Sequence, residues 1–205
     1  MIHGYHVIFG AYGFWLPNDP RGSWSDFVGA WELVRFGRAT KALDRATLTP
    51  DQERQRQTAK QALKYKPVQL TGLQARAAGL GFAMACAKSQ LTIWACSILP
   101  EHVHLVIARH THNIEQIANL MKGEATKQFN KEGLHPFSSH GCGGERPPSP
   151  WARGQWKVFL DTEEAIENAI RYVQENPVNE GKPRQTWSFV RPFAGIDRAG
   201  VVNYH

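Results

Sequence analysis

The chain has 205 residues, with 24 lysines and arginines against 18 aspartates and glutamates, which gives a formal net charge of +6 at pH 7. This length suffices for one domain with a substantial core, and the positive charge suits a polyanionic partner such as nucleic acid. The 3 cysteines lack paired spacing, which argues against a disulfide framework. We expect a cytoplasmic protein without a membrane span, because no signal pattern or long apolar run occurs.

The N-terminal third begins with one clear strand and continues with a segment of little regular pattern. The apolar run after Gly4 predicts a strand over about 4–12. We interpret about 13–66 as an insertion, which includes a helix at about 50–64 capped by Thr49. Basic residues interleaved with Trp31 and Phe36 suit contacts with DNA phosphates and bases, although a solvated helical face explains them equally well. The DNA-contact candidates in this segment are Arg21, Arg35 and Arg38.

The rest of the chain alternates helices and strands. In order, the patterns predict a short strand at 67–70, a helix at 72–88, strands at 91–99 and 102–109, a helix at 114–131 capped by Asn113, a loop at 132–154, a strand at 155–160 and a last helix capped by Asp161. Pro177 predicts that this helix ends near Asn176. The order predicts an α+β fold of the ferredoxin-like split βαβ type, with an antiparallel central sheet and helices packed on one face. The domain then covers 1–180, followed by a tail at 181–205.

Two histidines lie one residue apart in the apolar run 101–107, EHVHLVI. Because strand side chains alternate between faces, His102 and His104 project from the same face. Each neutral imidazole offers one nitrogen lone pair, so the pair is a plausible half of a metal site. The alternative is two partly buried histidines that bond to their neighbours.

The last predicted helix carries the second half of the candidate site. Tyr172 and Asn176 are four residues apart, so they lie on one side of the helix, at the flank of its apolar stripe. Taken alone, Tyr172 is also consistent with a tyrosine at the edge of the core, and Asn176 with a residue at the helix end.

In their order, the segments 5–10 (YHVIFG), 99–106 (LPEHVHLV) and 172–177 (YVQENP) resemble the HUH single-tyrosine transposases. The distance from Tyr172 to Asn176 resembles the branch of REP-associated tyrosine transposases. The resemblance implies a nuclease and strand transferase for single-stranded DNA, with Tyr172 as the nucleophile. It also implies a 5′-phosphotyrosine intermediate, DNA hairpins as partners and a homodimer.

The resemblance implies a divalent metal, Mg²⁺ or Mn²⁺, as cofactor. His102, His104 and Asn176 are its candidate ligands, and the ion would act as a Lewis acid on the scissile phosphate. The sequence leaves open whether Tyr172 serves its own protomer or its partner in the dimer.

Other polar residues carry weaker predictions. Lys122 and Lys127 are candidates for DNA contact, because their helix is expected to border the active groove. His110 and His112 form a second His-x-His in a loop. The set His135, His140 and Cys142 resembles a zinc site without a fourth ligand, and a flexible loop is the simpler interpretation.

Three other functions stay open. The first is a domesticated protein that binds repeated palindromes without cleaving them, which the same positive charge supports. The second is a small-molecule phosphohydrolase that uses two histidines, although a third catalytic histidine is missing. The third is a plasmid relaxase or replication initiator, whose metal clusters often contain three histidines.

Overall fold

The structure, a computed structural model, describes residues 1–14, 49–140 and 146–196. Its strands are β1 (Gly4–Gly10), β2 (Ile93–Ile98), β3 (His102–Ala108) and β4 (Trp156–Leu160). Its helices are α1 (Pro50–Gln61), α2 (Gly72–Ser89), α3 (Ile114–Lys131) and α4 (Glu163–Asn179), with a 3₁₀ turn at Ser138–His140. Within these ranges, no helix is long and apolar enough to cross a membrane.

The strands form one antiparallel sheet in the order β2–β3–β1–β4. Strand β1 pairs with β3 through partners such as Gly4 with Ala108, and with β4 through partners such as Gly4 with Leu160. Helices α2 and α3 connect β1 to β2 and β3 to β4. This arrangement confirms the predicted α+β fold and its split βαβ topology.

Helices α2 and α3 cover one face of the sheet. The alternate β3 residues Val103, Leu105 and Ile107 are at most 1% exposed and pack in the same cluster as side chains of both helices. Gly81 of α2 permits a close crossing, because a Cβ built there would lie 2.5 Å from the backbone of Ala125 in α3. This side holds the larger part of the apolar core.

Helix α4 covers the opposite face, which corrects the prediction that all helices pack on one side. Its buried residues Ile166, Ala169 and Val173 form a second cluster with Trp94 of β2 and Val106 of β3. Because the residues of β3 alternate between the two clusters, the sheet is buried on both faces. His102 and His104 lie four and two residues before Val106, so their side chains share its face of β3 and point towards the α4 layer.

Capping residues determine where three helices begin. Thr71 and Asn113 each form a capping box, with Gln74 and Gln116 respectively, at the starts of α2 and α3. Helix α4 is capped by Thr162, whose hydroxyl accepts from the N–H of Ala165 at 3.1 Å, so the predicted cap at Asp161 is wrong by one residue.

The structure also corrects the predicted end of α4. The helix continues through Pro177 to Asn179. Proline lacks an N–H, so its ring costs the helix the bond to the carbonyl of Val173, but Pro177 is buried and its packing offsets that loss. The last turn of α4 therefore lengthens the face of the helix on which Tyr172 lies.

The predicted short strand and the predicted insertion have different outcomes. Residues 67–70 belong to no strand of the sheet, although Val68 N–H donates to Tyr12 O at 2.8 Å and Leu70 N–H donates to Pro100 O at 2.7 Å. Most of the predicted insertion lies outside the described residues, apart from 13–14 and the segment that contains α1.

The tail after α4 runs along the free edge of β2. The side chain of Gln185 accepts from Ile98 N–H and donates to Ile98 O, both at 2.8 Å, and Arg191 N–H donates to Ile93 O at 2.8 Å. Phe193 then packs against Trp94, with ring centroids 4.9 Å apart. These bonds satisfy edge groups that would otherwise pair with another chain.

Candidate active site

The two histidines of β3 lie side by side, as their spacing predicts. The ring centroids of His102 and His104 are 4.8 Å apart, and His104 is only 3% exposed. The ring of Phe14 stacks on His102 at 4.6 Å with an interplanar angle of 12°, which covers one side of that imidazole. The strand and this stacked ring hold the pair in place.

A third histidine, His6 of β1, belongs to the same cluster. Its Nε2 lies 3.1 Å from Nδ1 of His104, and it is 8% exposed. His6 pairs in register with Val106 and so shares the face of His104. His6 is not among the predicted site residues, because the alternation of β1 places it on a face of its strand without indicating what that face meets.

Burial keeps the imidazoles of His6 and His104 neutral. Desolvation lowers the pKa of His6 from 6.5 to about 4. Desolvation also lowers the pKa of His104 well below 6.5, and the nearby His102 and His6 add to this effect. A neutral imidazole keeps one nitrogen lone pair, which is the form that binds a metal ion.

Tyr172 of α4 lies directly against this cluster. Its ring centroid is 5.6 Å from the ring centroids of both His6 and His104, in edge-on contacts with interplanar angles of 62° and 66°. The side of α4 around Val173 is fully buried, whereas Tyr172 is 47% exposed. The phenol is therefore close to the imidazoles of its own chain and accessible to a large substrate.

Two polar residues follow Tyr172 at four-residue intervals, Asn176 within α4 and Glu180 as the C-cap of the helix. Asn176 is partly buried, and its backbone carbonyl accepts from the N–H of Glu180 at 3.1 Å. The Oε1 atom of Glu180 lies 3.8 Å from Nε2 of His102. Glu180 is a second residue outside the predicted site, and its i, i+4 spacing from Asn176 is the signal that indicates it.

A polar cleft of about 320 Å³ opens beside His102. Glu101, Glu180 and Lys182 contribute charged groups to its walls. The cleft gives solvent and ligands access to His102.

The available donors fit a divalent cation only in part. In the described part of the chain, no three His, Cys, Asp or Glu side chains form a group that could hold a metal ion. His102 and His104 supply two nitrogen donors, so a third protein ligand has to be of another type. The side-chain amide of Asn176 is such a donor, and phosphate oxygens of a substrate would occupy further positions.

The predicted lysine contacts lie elsewhere. Helix α3 covers the other face of the sheet, and Lys122 is 7% exposed, with its Nζ donating to Ala152 O at 3.0 Å and to Gly154 O at 2.6 Å. Lys127 is exposed and forms an ion pair with Glu124 at 2.7 Å. Neither lysine borders the histidine cluster, and the amine of Lys122 is already bound to the protein.

The remaining candidates for DNA contact or metal binding lie in loops or outside the described residues. Arg21, Arg35, Arg38 and Cys142 lie outside the described residues. His110 accepts the N–H of His112 on its Nδ1 at 3.0 Å. His135 is 5% exposed and accepts the N–H of Phe137 on its Nδ1 at 3.1 Å, so this nitrogen stabilises the loop.

Comparison with known proteins gives a family match and several similar solved structures. A search of curated proteins gives no match. One similar solved structure is a REP-associated tyrosine transposase bound to a REP hairpin, with 14% identity and a TM-score of 0.47 over 91% of this chain and 74% of that chain. Another is a candidate transposase from Deinococcus radiodurans R1, with 12% identity and a TM-score of 0.43 over 85% of this chain and 91% of that chain.

The family assignment comes from the sequence match. The family model described as "Transposase IS200 like" matches residues 62–176, which is more than half of the chain. The matched range contains both β3 histidines, Tyr172 and Asn176. The chain therefore belongs to the IS200-like transposase family.

Proposed function

We propose that this protein cleaves and rejoins single-stranded DNA through a covalent phosphotyrosine at Tyr172, with a divalent cation held by His102, His104 and Asn176. One observation carries the proposal: the ring of Tyr172 lies 5.6 Å from the ring of His104 in the same chain. A nucleophile and two nitrogen donors on one face of a rigid sheet suit attack on a phosphodiester.

The phenol oxygen of Tyr172 attacks the phosphorus, and the bond from phosphorus to the 3′-oxygen breaks. The phenol loses its proton, the departing oxygen gains one, and the products are a 5′-phosphotyrosine and a free 3′-hydroxyl. The new phosphodiester conserves the energy of the old one, so attack by a DNA 3′-hydroxyl reverses the step without ATP. An ordinary tyrosine has a pKa of about 10, so deprotonation must accompany the attack.

The proposed ligand residues have separate roles in binding and orienting the cation. The neutral state of His104 keeps a lone pair available, and its burial fixes the direction of that lone pair. When bound, Mg²⁺ or Mn²⁺ supplies Lewis-acid neutralisation of the scissile phosphate. Asn176, one turn after Tyr172, offers an amide oxygen from the same helix as the nucleophile.

We further propose that the substrate carries hairpin or palindromic ends and that the protein acts as a homodimer. The net charge of +6 favours association with a polyanion. Arg21, Arg35 and Arg38 are the proposed phosphate contacts. A dimer supplies two tyrosines, which permits cleavage of one strand end while another is rejoined.

The first prediction concerns the nucleophile. Incubation with hairpin-bearing single-stranded DNA and Mn²⁺ should give a covalent adduct, detected as a shifted band on a denaturing gel. Tyr172→Phe should abolish the adduct because it removes the attacking oxygen. Tyr65→Phe is a matched control, because Tyr65 packs against Tyr12, Phe137 and His140 beside the core on the α2–α3 face of the sheet, and it should keep the adduct.

The same assay tests the metal assignment. His102→Ala should lose cleavage but retain most DNA affinity, because phosphate contacts supply most of that affinity. Adduct formation by Tyr172→Phe would contradict the nucleophile assignment. Salt-dependent hairpin binding by the wild type without an adduct under any divalent cation would instead support a DNA-binding protein without cleavage.

A further inference from the structure

The contact between His6 and His104 connects two strands within the active site. His6 lies on β1 and His104 on β3, and they are diagonal neighbours because His6 pairs with Val106 and Ile8 pairs with His104. Their nitrogens Nε2 and Nδ1 are 3.1 Å apart, and both residues are under 9% exposed. A hydrogen bond in such a buried place is expensive to leave unmade.

Two neutral imidazoles can share this bond in only two ways. If His6 donates, His104 carries its proton on Nε2, and neither of its nitrogens remains available to a metal ion. If Nδ1–H of His104 donates, Nε2 of His104 keeps its lone pair and can bind a metal ion. Only the second arrangement is compatible with His104 as a ligand.

We infer that His6 is a positioning residue, which accepts the Nδ1–H of His104 and so presents the Nε2 lone pair of His104 to the cation. The inference rests on the proposed function, since it takes His104 as a ligand. Metal-binding histidines commonly donate their other N–H to an acceptor that fixes the tautomer and the ring orientation. Here a second imidazole takes the place of the usual carboxylate or carbonyl.

The surroundings of His104 favour His6 over Ser97 as the hydrogen-bond partner of its Nδ1. Ser97 of β2 is the register partner of His104 on the other side and is fully buried. Its hydroxyl has no hydrogen-bond partner among the described residues, so it does not hold the ring. His6 itself is enclosed by the rings of Trp156 at 6.0 Å and Tyr172 at 5.6 Å, which restrict its orientation.

The second prediction tests this role through metal affinity without DNA. We expect His6→Phe to weaken Mn²⁺ binding by about 10- to 100-fold, as measured by electron paramagnetic resonance, because an aromatic ring is kept while the acceptor nitrogen is lost. His6→Gln should recover part of the affinity, since its amide oxygen lies as many bonds from Cα as the histidine Nε2. Thermal unfolding of each variant controls for the fold.

A spectroscopic measurement on the wild-type protein tests the same role without relying on a variant that must fold. Long-range ¹H–¹⁵N correlation spectra should show that His104 is protonated at Nδ1 and unprotonated at Nε2. Protonation at Nε2 instead, or wild-type Mn²⁺ affinity in folded His6→Phe, would overturn the role of His6 and leave the phosphotyrosine chemistry intact. Equal Mn²⁺ binding by wild type and His104→Ala would overturn the metal assignment, and the role of His6 with it.

Discussion

The amine of Lys122 lies inside the protein, where it connects α3 to the segment before β4. It donates to the carbonyls of Ala152 and Gly154 and lies 5.1 Å from the ring centroid of Phe9. Desolvation lowers its pKa from 10.5 to about 8. Among the described residues, its partners are carbonyl and ring dipoles and no carboxylate, so at neutral pH the charged amine costs part of the stability of the fold.

The third prediction follows from this pKa. Between pH 8 and 10.5 the unfolded chain binds the Lys122 proton more tightly than the folded protein does, so wild-type stability should rise with pH across that window. Relative to Lys122→Met, the wild type should gain roughly 3 kcal/mol between pH 7 and 10.5, as measured by urea unfolding. The control Lys127→Met changes an exposed lysine and should follow the wild-type curve. Parallel curves for wild type and Lys122→Met would contradict the prediction.

Single residues show what a sequence can and cannot reveal about a site. The pairing of His102 with His104 follows from strand alternation alone, because both are on one short element. The contribution of His6 depends on the register between β1 and β3, which brings residues 98 positions apart into contact. The burial of Lys122 likewise depends on which face α3 covers, and no local pattern determines that.

At the scale of elements, the crossing of α2 and α3 depends on a glycine. A methyl group at Gly81 would lie 2.5 Å from the backbone N and Cα atoms of Ala125. The neighbouring atoms are backbone, so they can move only if the whole helix shifts. The two helices therefore approach more closely than any larger residue would permit.

The fourth prediction compares two glycines in helices. Gly81→Ala should lower the free energy of unfolding by about 1–3 kcal/mol, because overpacking forces α2 and α3 apart. Gly123→Ala on α3 has no atom within 4 Å of the added methyl and should raise stability by about 0.5–1 kcal/mol through helix propensity. Chemical denaturation measures both. An equal effect of the two substitutions would argue against the close crossing.

The sequence predicts most elements but not the side of the sheet on which α4 packs. Helices α2 and α3 each connect two parallel strands, so right-handed crossovers place them on the same face. No strand follows α4, and that rule does not apply to it. The apolar Val106 and Ala108 on the histidine face are the available signal, because they indicate that this face also needs a cover.

At the scale of the whole molecule, the tail completes the fold without regular structure of its own. Gln185 and Arg191 bond to the two ends of β2, and Phe193 continues onto the face of α4. Such a path has no periodicity in the sequence, since each contact depends on a neighbour that is distant along the chain. Its composition predicts only an irregular tail.

The presence of the nucleophile and the histidines in one site of one polypeptide has a genetic consequence. Tyr172 lies against the histidines of its own chain, so a single polypeptide contains both halves of the site. The fifth prediction is that Tyr172→Phe and His102→Ala chains, mixed to form heterodimers, will not complement each other in the adduct assay. Recovered activity would mean that helices are exchanged between subunits. Without exchange, a gene copy that lacks one site residue can be complemented only by an intact gene copy. A second copy that lacks a different site residue cannot complement it.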